Sequence, residues 1–192
     1  MTAVPHGVAV AHYLLDKSAS RFTVRAFASG MLSALGHDPT IAIRNFTGDV
    51  TFEPSAPEQG SLRVEIQADS LEVTDDIKSK DRKEMESTMN EKVLEVSKYP
   101  TITFESKVTS AKELSEGRFQ VNLSGTLSLH GDTGTVSVAT QVTLFGDMLR
   151  ASGEFSVSQR DYGIPLVSVA GGALKLKDEL KFAFDIVARK QD

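Results

Sequence analysis

The sequence predicts an all-β protein organised around one long antiparallel strand. Apolar and polar residues alternate without interruption over residues 117–131, and successive side chains of a strand point to opposite faces of its sheet. The same alternation returns over residues 135–145 and 149–159. An all-parallel sheet is covered on both faces and would be apolar throughout. These half-polar strands therefore indicate a tall antiparallel sheet.

Length and composition are typical of a soluble globular protein. The chain has 192 residues, of which 40% are hydrophobic and 24% are charged. This length suits a single domain, which we expect to span residues 1–192 with its core over residues 13–190. The net charge of -5 and the absence of a dense Lys/Arg cluster argue against a nucleic-acid partner.

Several classes of protein are disfavoured by what the sequence lacks. It has no cysteine, which removes disulfides, thiolate catalysis and cysteine-based zinc sites. It has no apolar run of about 18 residues that could span a bilayer. Residues 1–12 predict a loose lead-in, without the charged and apolar regions of a secretory signal. We therefore expect a cytoplasmic protein, or a periplasmic one if a signal has been removed.

The first predicted strand is followed by a short helix. Residues 21–27 alternate as a strand, and the alternation then stops. Over residues 28–38, Met31, Leu32 and Leu35 take the positions of a short apolar helical face. Such a helix either plugs or borders the end of a sheet, or it covers one edge of the core.

The next two predicted strands both change face part-way along. Within residues 40–53, Ile41 and Ile43 have one parity and the later apolar residues have the other, which predicts a β-bulge near residues 44 and 45. Residues 61–74 change parity in the same way before Leu71.

One clear helix is predicted over residues 75–96. Met85 and Met89 recur at helical spacing among charged residues. We interpret these methionines as core filler. Asp75 and Asp76 are interpreted as acids that complement the positive N-terminal end of the helix.

Further strands are predicted over residues 101–110 and 180–188, with an irregular stretch over residues 161–177. About eight long strands can pair as two stacked sheets or close into one barrel, whose interior holds side chains or one small ligand. If the interior is hollow, its contents should be long, thin and apolar, because the inward residues are Val, Leu, Ile and Phe. A filled core is the alternative.

Six segments of the chain together resemble one known family. In chain order they are Leu15-Asp16, Gly36-His37-Asp38, Phe46-Thr47-Gly48, Lys98-Tyr99-Pro100-Thr101-Ile102-Thr103-Phe104, Gly125-Thr126-Leu127-Ser128-Leu129-His130-Gly131 and Arg160-Asp161-Tyr162-Gly163-Ile164. Their order and spacing resemble the YceI-like family over about residues 13–190. The resemblance implies an extended lipocalin-like antiparallel barrel that binds a polyisoprenoid or a similar long-chain amphiphile, with no known catalysis and no cofactor.

The inward-facing residues are the predicted ligand-binding set. The ligand would be a polyisoprenoid, an isoprenoid quinone or a fatty-acid derivative, held for transport or as a reservoir. His37 at the expected barrel rim can donate a hydrogen bond to a head group or, when protonated, attract an anionic one; alternatively, His37 is structural and Asp38 caps a turn. The predicted ligand-binding residues are Phe22, Val24, Met31, Leu32, Leu35, His37, Ile41, Ile43, Phe104, Val121, Leu123, Leu127, Phe155, Phe182 and Phe184.

Two other functions stay open on the sequence. A hydrolase needs a nucleophile with a base in reach, and the candidate groups are His37, Asp38 and His130, yet no G-x-S-x-G, HExxH or CxxC motif occurs. A solid-core barrel would serve as a structural or interaction protein. The four histidines are scattered, so no metal site is predicted. A homodimer is left open.

Overall fold

Strands make up most of the described chain. The computed structural model describes residues 10–29, 38–169 and 174–192. Helix α1 runs over Ser79–Thr88 and continues as a π-helical turn over Met89–Val93. The strands are β1 Ala11–Leu15, β2 Arg21–Ser29, β3 Thr40–Ile43, β4 Phe46–Phe52, β5 Ser61–Gln67, β6 Leu71–Val73, β7 Thr101–Ser115, β8 Arg118–Leu129, β9 Asp132–Phe145, β10 Met148–Ser158, β11 Ser168–Val169 and β12 Leu174–Lys190.

Eight of these strands close into the predicted antiparallel barrel. They follow the order β1, β4, β5, β7, β8, β9, β10 and β12, and β12 pairs back with β1. β2 continues the sheet from β12, and β3 and β6 follow β2. The predicted fold class is confirmed, and the sheet forms a closed barrel instead of two stacked sheets.

β8, the strand with the uninterrupted alternation, buries one face and exposes the other, as that alternation predicts. Within β8, Phe119, Val121 and Leu127 are buried, whereas Asn122 and Thr126 are exposed. β8 pairs with β7 on one side and with β9 on the other along its whole length. Its inward residues therefore form a continuous strip of the core.

Both predicted changes of face coincide with breaks between strands. Arg44 and Asn45 separate β3 from β4, and a 3-10 turn over Ala68–Ser70 separates β5 from β6. Arg44 N–H donates to the Ser70 carbonyl at 3.1 Å, and Gln67 N–H donates to the Asn45 carbonyl at 3.0 Å. The two breaks therefore lie side by side in the wall.

The start of the main helix differs from the prediction. α1 begins at Ser79, four residues after Asp75. The Asp75 carboxylate accepts a hydrogen bond from the Thr40 N–H at 2.9 Å. Asp75 therefore serves the beginning of β3 and not the N-terminus of the helix, so its assignment to the helix end was wrong.

Two strand boundaries also differ from the prediction, and most of one predicted helix lies outside the described residues. Residues 11 and 12 belong to β1, which pairs with β4, and not to a loose lead-in. The last strand already begins at Leu174 within the stretch predicted to be irregular. Of the predicted short helix, residues 28 and 29 belong to β2, and residues 30–37 lie outside the described residues.

The two ends of the barrel are closed in different ways. The hairpin turns at Gly117 and Gly146, both with positive φ, lie at one end, which we call the lower end. Helix α1 and the turn at His130 and Gly131 lie at the upper end. Within the described residues, no helix combines the length and the apolar character needed to cross a bilayer.

Candidate functional site

A large apolar cavity occupies the upper half of the barrel. Its volume of about 320 Å³ falls at the lower end of the range for small-molecule sites. Strands form most of its wall, and α1 with its π-helical turn forms its roof. The apolar wall residues are Val24, Ala26, Pro39, Ile41, Ile43, Ile66, Leu71, Val73, Ile102, Leu129, Ile164, Val167, Leu176, Leu180 and Phe182.

The roof turns one apolar face towards this upper cavity. Met85, Met89 and Val93 line the cavity, whereas Lys80 and Lys83 are exposed. The π-helical turn is closed by the Leu94 N–H, which donates to the Met89 carbonyl at 2.8 Å. Turns of this kind are frequent at functional sites, and methionine adapts to irregular apolar surfaces. The roof therefore presents an adaptable apolar surface to the upper cavity.

Three contacts tie the roof to the rest of the protein. Glu86 Oε1 accepts a hydrogen bond from the Val73 N–H of β6 at 3.0 Å. Arg82 Nη2 donates to the Asp75 carbonyl at 2.8 Å. Glu95, just beyond the π-helical turn, places its Oε2 at 2.8 Å from His130 Nε2. The roof is thus fixed at its beginning, its middle and its end.

His130 is a buried connector at the turn between β8 and β9. Its Nδ1 lies 3.1 Å from the Tyr162 carbonyl oxygen, and its Nε2 faces Glu95. The Tyr99 ring packs against the imidazole with 4.6 Å between ring centroids. His130 and Glu95 both have a positive φ, which is uncommon for residues other than glycine. With both ring nitrogens engaged, His130 supports a structural role and gives no support to a hydrolase.

A 3-10 turn over Gln159–Tyr162 forms one side of the upper cavity. Gln159 is buried, lines the cavity and donates its Nε2 to a backbone carbonyl of β12 at 2.9 Å. The Asp178 carboxylate accepts hydrogen bonds from the Ser158 hydroxyl at 2.7 Å and the Arg160 N–H at 2.9 Å. These bonds, the one from Ser158 foremost, hold the pKa of Asp178 below its usual range. The turn is therefore anchored to β12 by hydrogen bonds to a backbone carbonyl and to the Asp178 carboxylate.

Two carboxylates stand at the rim of the upper cavity. Asp81 and Glu84 on α1 both line the cavity and are exposed. Among the described residues no lysine or arginine lines it, and residues 1–9, 30–37 and 170–173 contain none in their sequence. Both charged side chains that line the upper cavity within the described residues are therefore acidic.

The predicted ligand-binding residues fall into four groups. Val24, Ile41, Ile43 and Phe182 line the upper cavity. Val121, Leu123 and Phe184 line a second cavity, of about 30 Å³, in the lower half. Phe22, Phe104, Leu127 and Phe155 pack in the core without lining either of these cavities. Met31, Leu32, Leu35 and His37 lie outside the described residues.

Asp38 is engaged by its own chain. Its Oδ1 accepts a hydrogen bond from the Ala28 N–H at 2.9 Å, and its Oδ2 lies 3.4 Å from Arg25 Nη2. These contacts join Asp38 to β2. They favour the structural role for Asp38 over a contact with a head group.

The roof is the part of the site that sequence reasoning missed. Met85 and Met89 are predicted on one helical face, but that pattern alone does not distinguish core filler from the lining of a cavity. The signal that could have found them is a methionine-rich amphipathic helix inserted between the strands of a barrel. Ile164 and Val167 lie in an irregular segment without periodicity, so no local pattern marks them.

The sequence and the fold can be compared with known proteins. The chain matches the YceI-like domain family over residues 13–188. No curated protein sequence matches it. The solved structure of BcnA from Burkholderia cenocepacia is similar, with a TM-score of 0.69 and 19% sequence identity over 90% of this chain and 98% of that chain.

Two further solved structures share the fold. A polyisoprenoid-binding domain from Saccharophagus degradans, implicated in plant cell wall breakdown, has a TM-score of 0.66 and 16% identity over 95% of this chain and 100% of that chain. The YCEI protein of Campylobacter jejuni has a TM-score of 0.57 and 13% identity over 79% and 85%. Because the family match extends from β1 to β12, the chain belongs to the YceI-like domain family.

Proposed function

We propose that this protein binds an amphiphile with a long apolar tail and acts as its carrier or reservoir. The observation that carries the proposal is the upper cavity of about 320 Å³, whose wall and roof are almost entirely apolar. The relative from Saccharophagus degradans is described as polyisoprenoid-binding. A polyisoprenoid alcohol or an isoprenoid quinone is therefore the ligand class we favour.

The hydrophobic effect can supply the affinity without strong polar contacts. At ~25 cal/mol per Å², a tail that buries roughly 300 Å² gains about 7 kcal/mol before the entropic costs of binding. A polar head must stay near water or hydrogen-bonding groups, since burying an unpaired polar group costs roughly 1 to 3 kcal/mol. The head is therefore expected at the rim, beside Asp81 and Glu84.

The rim carboxylates favour an uncharged head over an anionic one. Two negative charges about 4 Å apart repel each other by about 1 kcal/mol in water, and this repulsion weakens affinity about fivefold. The proposal therefore ranks fatty acids behind alcohols and quinones of the same chain length.

Occupation of the upper cavity is tested by extraction and by a variant that fills it. We expect solvent extraction and mass spectrometry of purified protein to yield an apolar compound, and hexadecanol to displace an apolar fluorescent dye. Ala26→Phe places a ring in the cavity and should abolish dye binding. Ala139→Phe, at an exposed position of β9, is the matched control. Negative extraction together with the absence of dye displacement would reject the proposal.

The head-group preference is tested with two ligands of equal tail length. Hexadecanol should bind several-fold more tightly than palmitate at neutral pH. In the double variant Asp81→Asn, Glu84→Gln the difference should shrink, because both rim charges are removed. An unchanged ratio in the double variant would show that the rim carboxylates do not select the head group.

A further inference from the structure

One row of inward side chains lies between the two cavities and lines neither. On β5, Ile66 lines the upper cavity and Leu62 lines the lower one, whereas Val64 between them lines neither. Val64 pairs with Phe104 of β7, which pairs with Leu127 of β8. The register therefore places a middle row across the barrel, between the upper and the lower cavity.

Phe104 of this row belongs to one of two groups of neighbouring aromatic rings in the barrel. The ring centroids of Phe104 and Phe155 are 6.1 Å apart, and those of Phe155 and Phe182 are 5.2 Å apart with planes inclined by 6°. A second group joins Phe22 to Phe46 at 4.7 Å and to Phe184 at 6.4 Å. We call these six side chains the aromatic layer: Phe22, Phe46, Phe104, Phe155, Phe182 and Phe184.

The aromatic layer marks the depth at which open space ends. Phe182 lines the upper cavity, and Phe184, two residues further along β12, lines the lower one. Above the layer the cavity measures about 320 Å³, and below it about 30 Å³. A tail that enters beneath the roof therefore meets Phe182, on which Phe155 is stacked, before it reaches the lower half.

Phe155 is the ring of the layer that borders a side cleft in the barrel wall. It is only partly buried, and it also lines a side cleft of about 280 Å³ between β9 and β10. The ladder between these strands ends at the pair Thr140 and Gly153, so Phe155 lies just beyond the last pair. Phe184 is held more tightly, because its ring packs on Gly153, where an added Cβ would come within 2.9 Å of it.

We propose that the aromatic layer limits the length of the apolar tail and that Phe155 is the residue that sets this limit. The inference rests on the proposed function, because it requires a tail in the upper cavity. Each methylene that fits above the layer adds buried apolar surface and tightens binding. A longer tail either presses on Phe182 and so displaces the stacked ring of Phe155 towards the side cleft, or projects from the mouth, so additional methylenes add little.

The test is a series of unbranched alcohols with tails from about 8 to about 18 carbons, each competing with the same apolar dye. In the parent protein the dissociation constant should fall about fourfold per methylene and then stop falling once the tail reaches the layer. In Phe155→Ala this break, the tail length at which the dissociation constant stops falling, should move to longer alcohols. Phe145→Ala, where the native ring is 75% exposed, is the matched control and should leave the break unchanged.

A second variant keeps the inference testable if Phe155→Ala does not fold. Phe155→Leu keeps an apolar side chain of smaller volume, and it should shift the break in the same direction by a smaller amount. Affinity that rises with constant slope to the longest alcohol in the parent would overturn the inference, as would an unchanged break in both folded Phe155 variants. If no alcohol binds to the parent, the proposed function is rejected, and this inference is rejected with it because it requires a bound tail.

Discussion

The lower and upper halves of the barrel share strands but differ in how fully they are packed. In the lower half, Val121, Leu149 and Ile186 are each 1% exposed, and the cavity measures about 30 Å³. In the upper half, Leu180 and Phe182 are only partly buried beside a cavity of about 320 Å³, although they belong to the same strand as Ile186. This contrast is expected if the lower half supplies stability and the upper half, as proposed above, supplies binding space.

The difference has a physical origin in the wall. In the lower half every strand of the closed barrel has two neighbours, and core side chains interdigitate at high density. In the upper half the ladder between β9 and β10 ends, and a helix replaces sheet as the cover. Regions that admit ligands are drawn from the less stable parts of a protein.

The largest effect is expected from a charge placed between the two halves. Leu127 is 3% exposed, so Leu127→Glu would bury a carboxylate without a partner and cost more than about 3 kcal/mol, or prevent folding. Ser128→Glu, on the opposite face of β8, should stay within about 1 kcal/mol of the parent. Urea unfolding measures both. A stable Leu127→Glu protein would contradict the inward orientation.

A pair of leucine truncations compares the halves directly. Leu149→Ala removes a fully packed side chain from the lower half, and we expect a loss of about 4 kcal/mol. Leu180→Ala acts on a side chain that already borders the upper cavity, so the loss should be about 2 kcal/mol or less. Chemical denaturation at one temperature gives both values. Equal losses would mean that the halves do not differ in packing energy.

Loss of the contact between Glu95 and His130, which ties the roof to the barrel, should affect the upper half alone. Glu95→Ala leaves His130 Nε2 buried without its partner, at a cost of about 1 to 2 kcal/mol. Amide hydrogen exchange should become faster in α1 and the π-helical turn but not in the lower strands. Lys92→Ala, at an exposed position of the same turn, is the control. Faster exchange throughout the barrel would argue against a separately anchored roof.

The smallest expected effect is a pH dependence that arises at Asp16, between β1 and β2. Hydrogen bonds from the Ser18 hydroxyl and from Arg189 lower the pKa of Asp16 to about 2. Since this pKa is depressed in the folded state, its stabilisation is present above about pH 4 and is lost as the pH falls towards 2. Thermal unfolding across this window should show a shallower acid loss in Asp16→Asn than in the parent. The exposed Asp69→Asn is the control, and equal slopes in the parent and Asp16→Asn would contradict the assignment.

The barrel was predictable because its main signal is local. Each long strand carries its own period of two, so the alternation in β8 indicates its inward face before any partner is known. The breaks at residues 44–45 and 68–70 were also visible, since a change of parity marks them within one strand. β1 was missed because five residues are too few to establish a pattern.

The candidate site was less predictable because it depends on how distant segments meet. The inward orientation of Phe104, Phe155 and Phe182 follows from parity, but their assembly at one level depends on the relative stagger of β7, β10 and β12. The role of Met85 in the roof likewise depends on where the helix rests. Neither property is encoded in a local period, so both require the tertiary structure.

The end of the ladder between β9 and β10 also bears on self-association. Residues 135–139 and 154–158 face one another across the side cleft without pairing in a common ladder. An open strand edge is a template on which another chain can add a strand. Outward-facing Ser137, Glu154 and Ser156 border this opening, and Glu154 forms an ion pair with Lys181. The gap beside Phe155 therefore carries a risk of edge-to-edge assembly between molecules, against which its short edges and polar side chains act as protection.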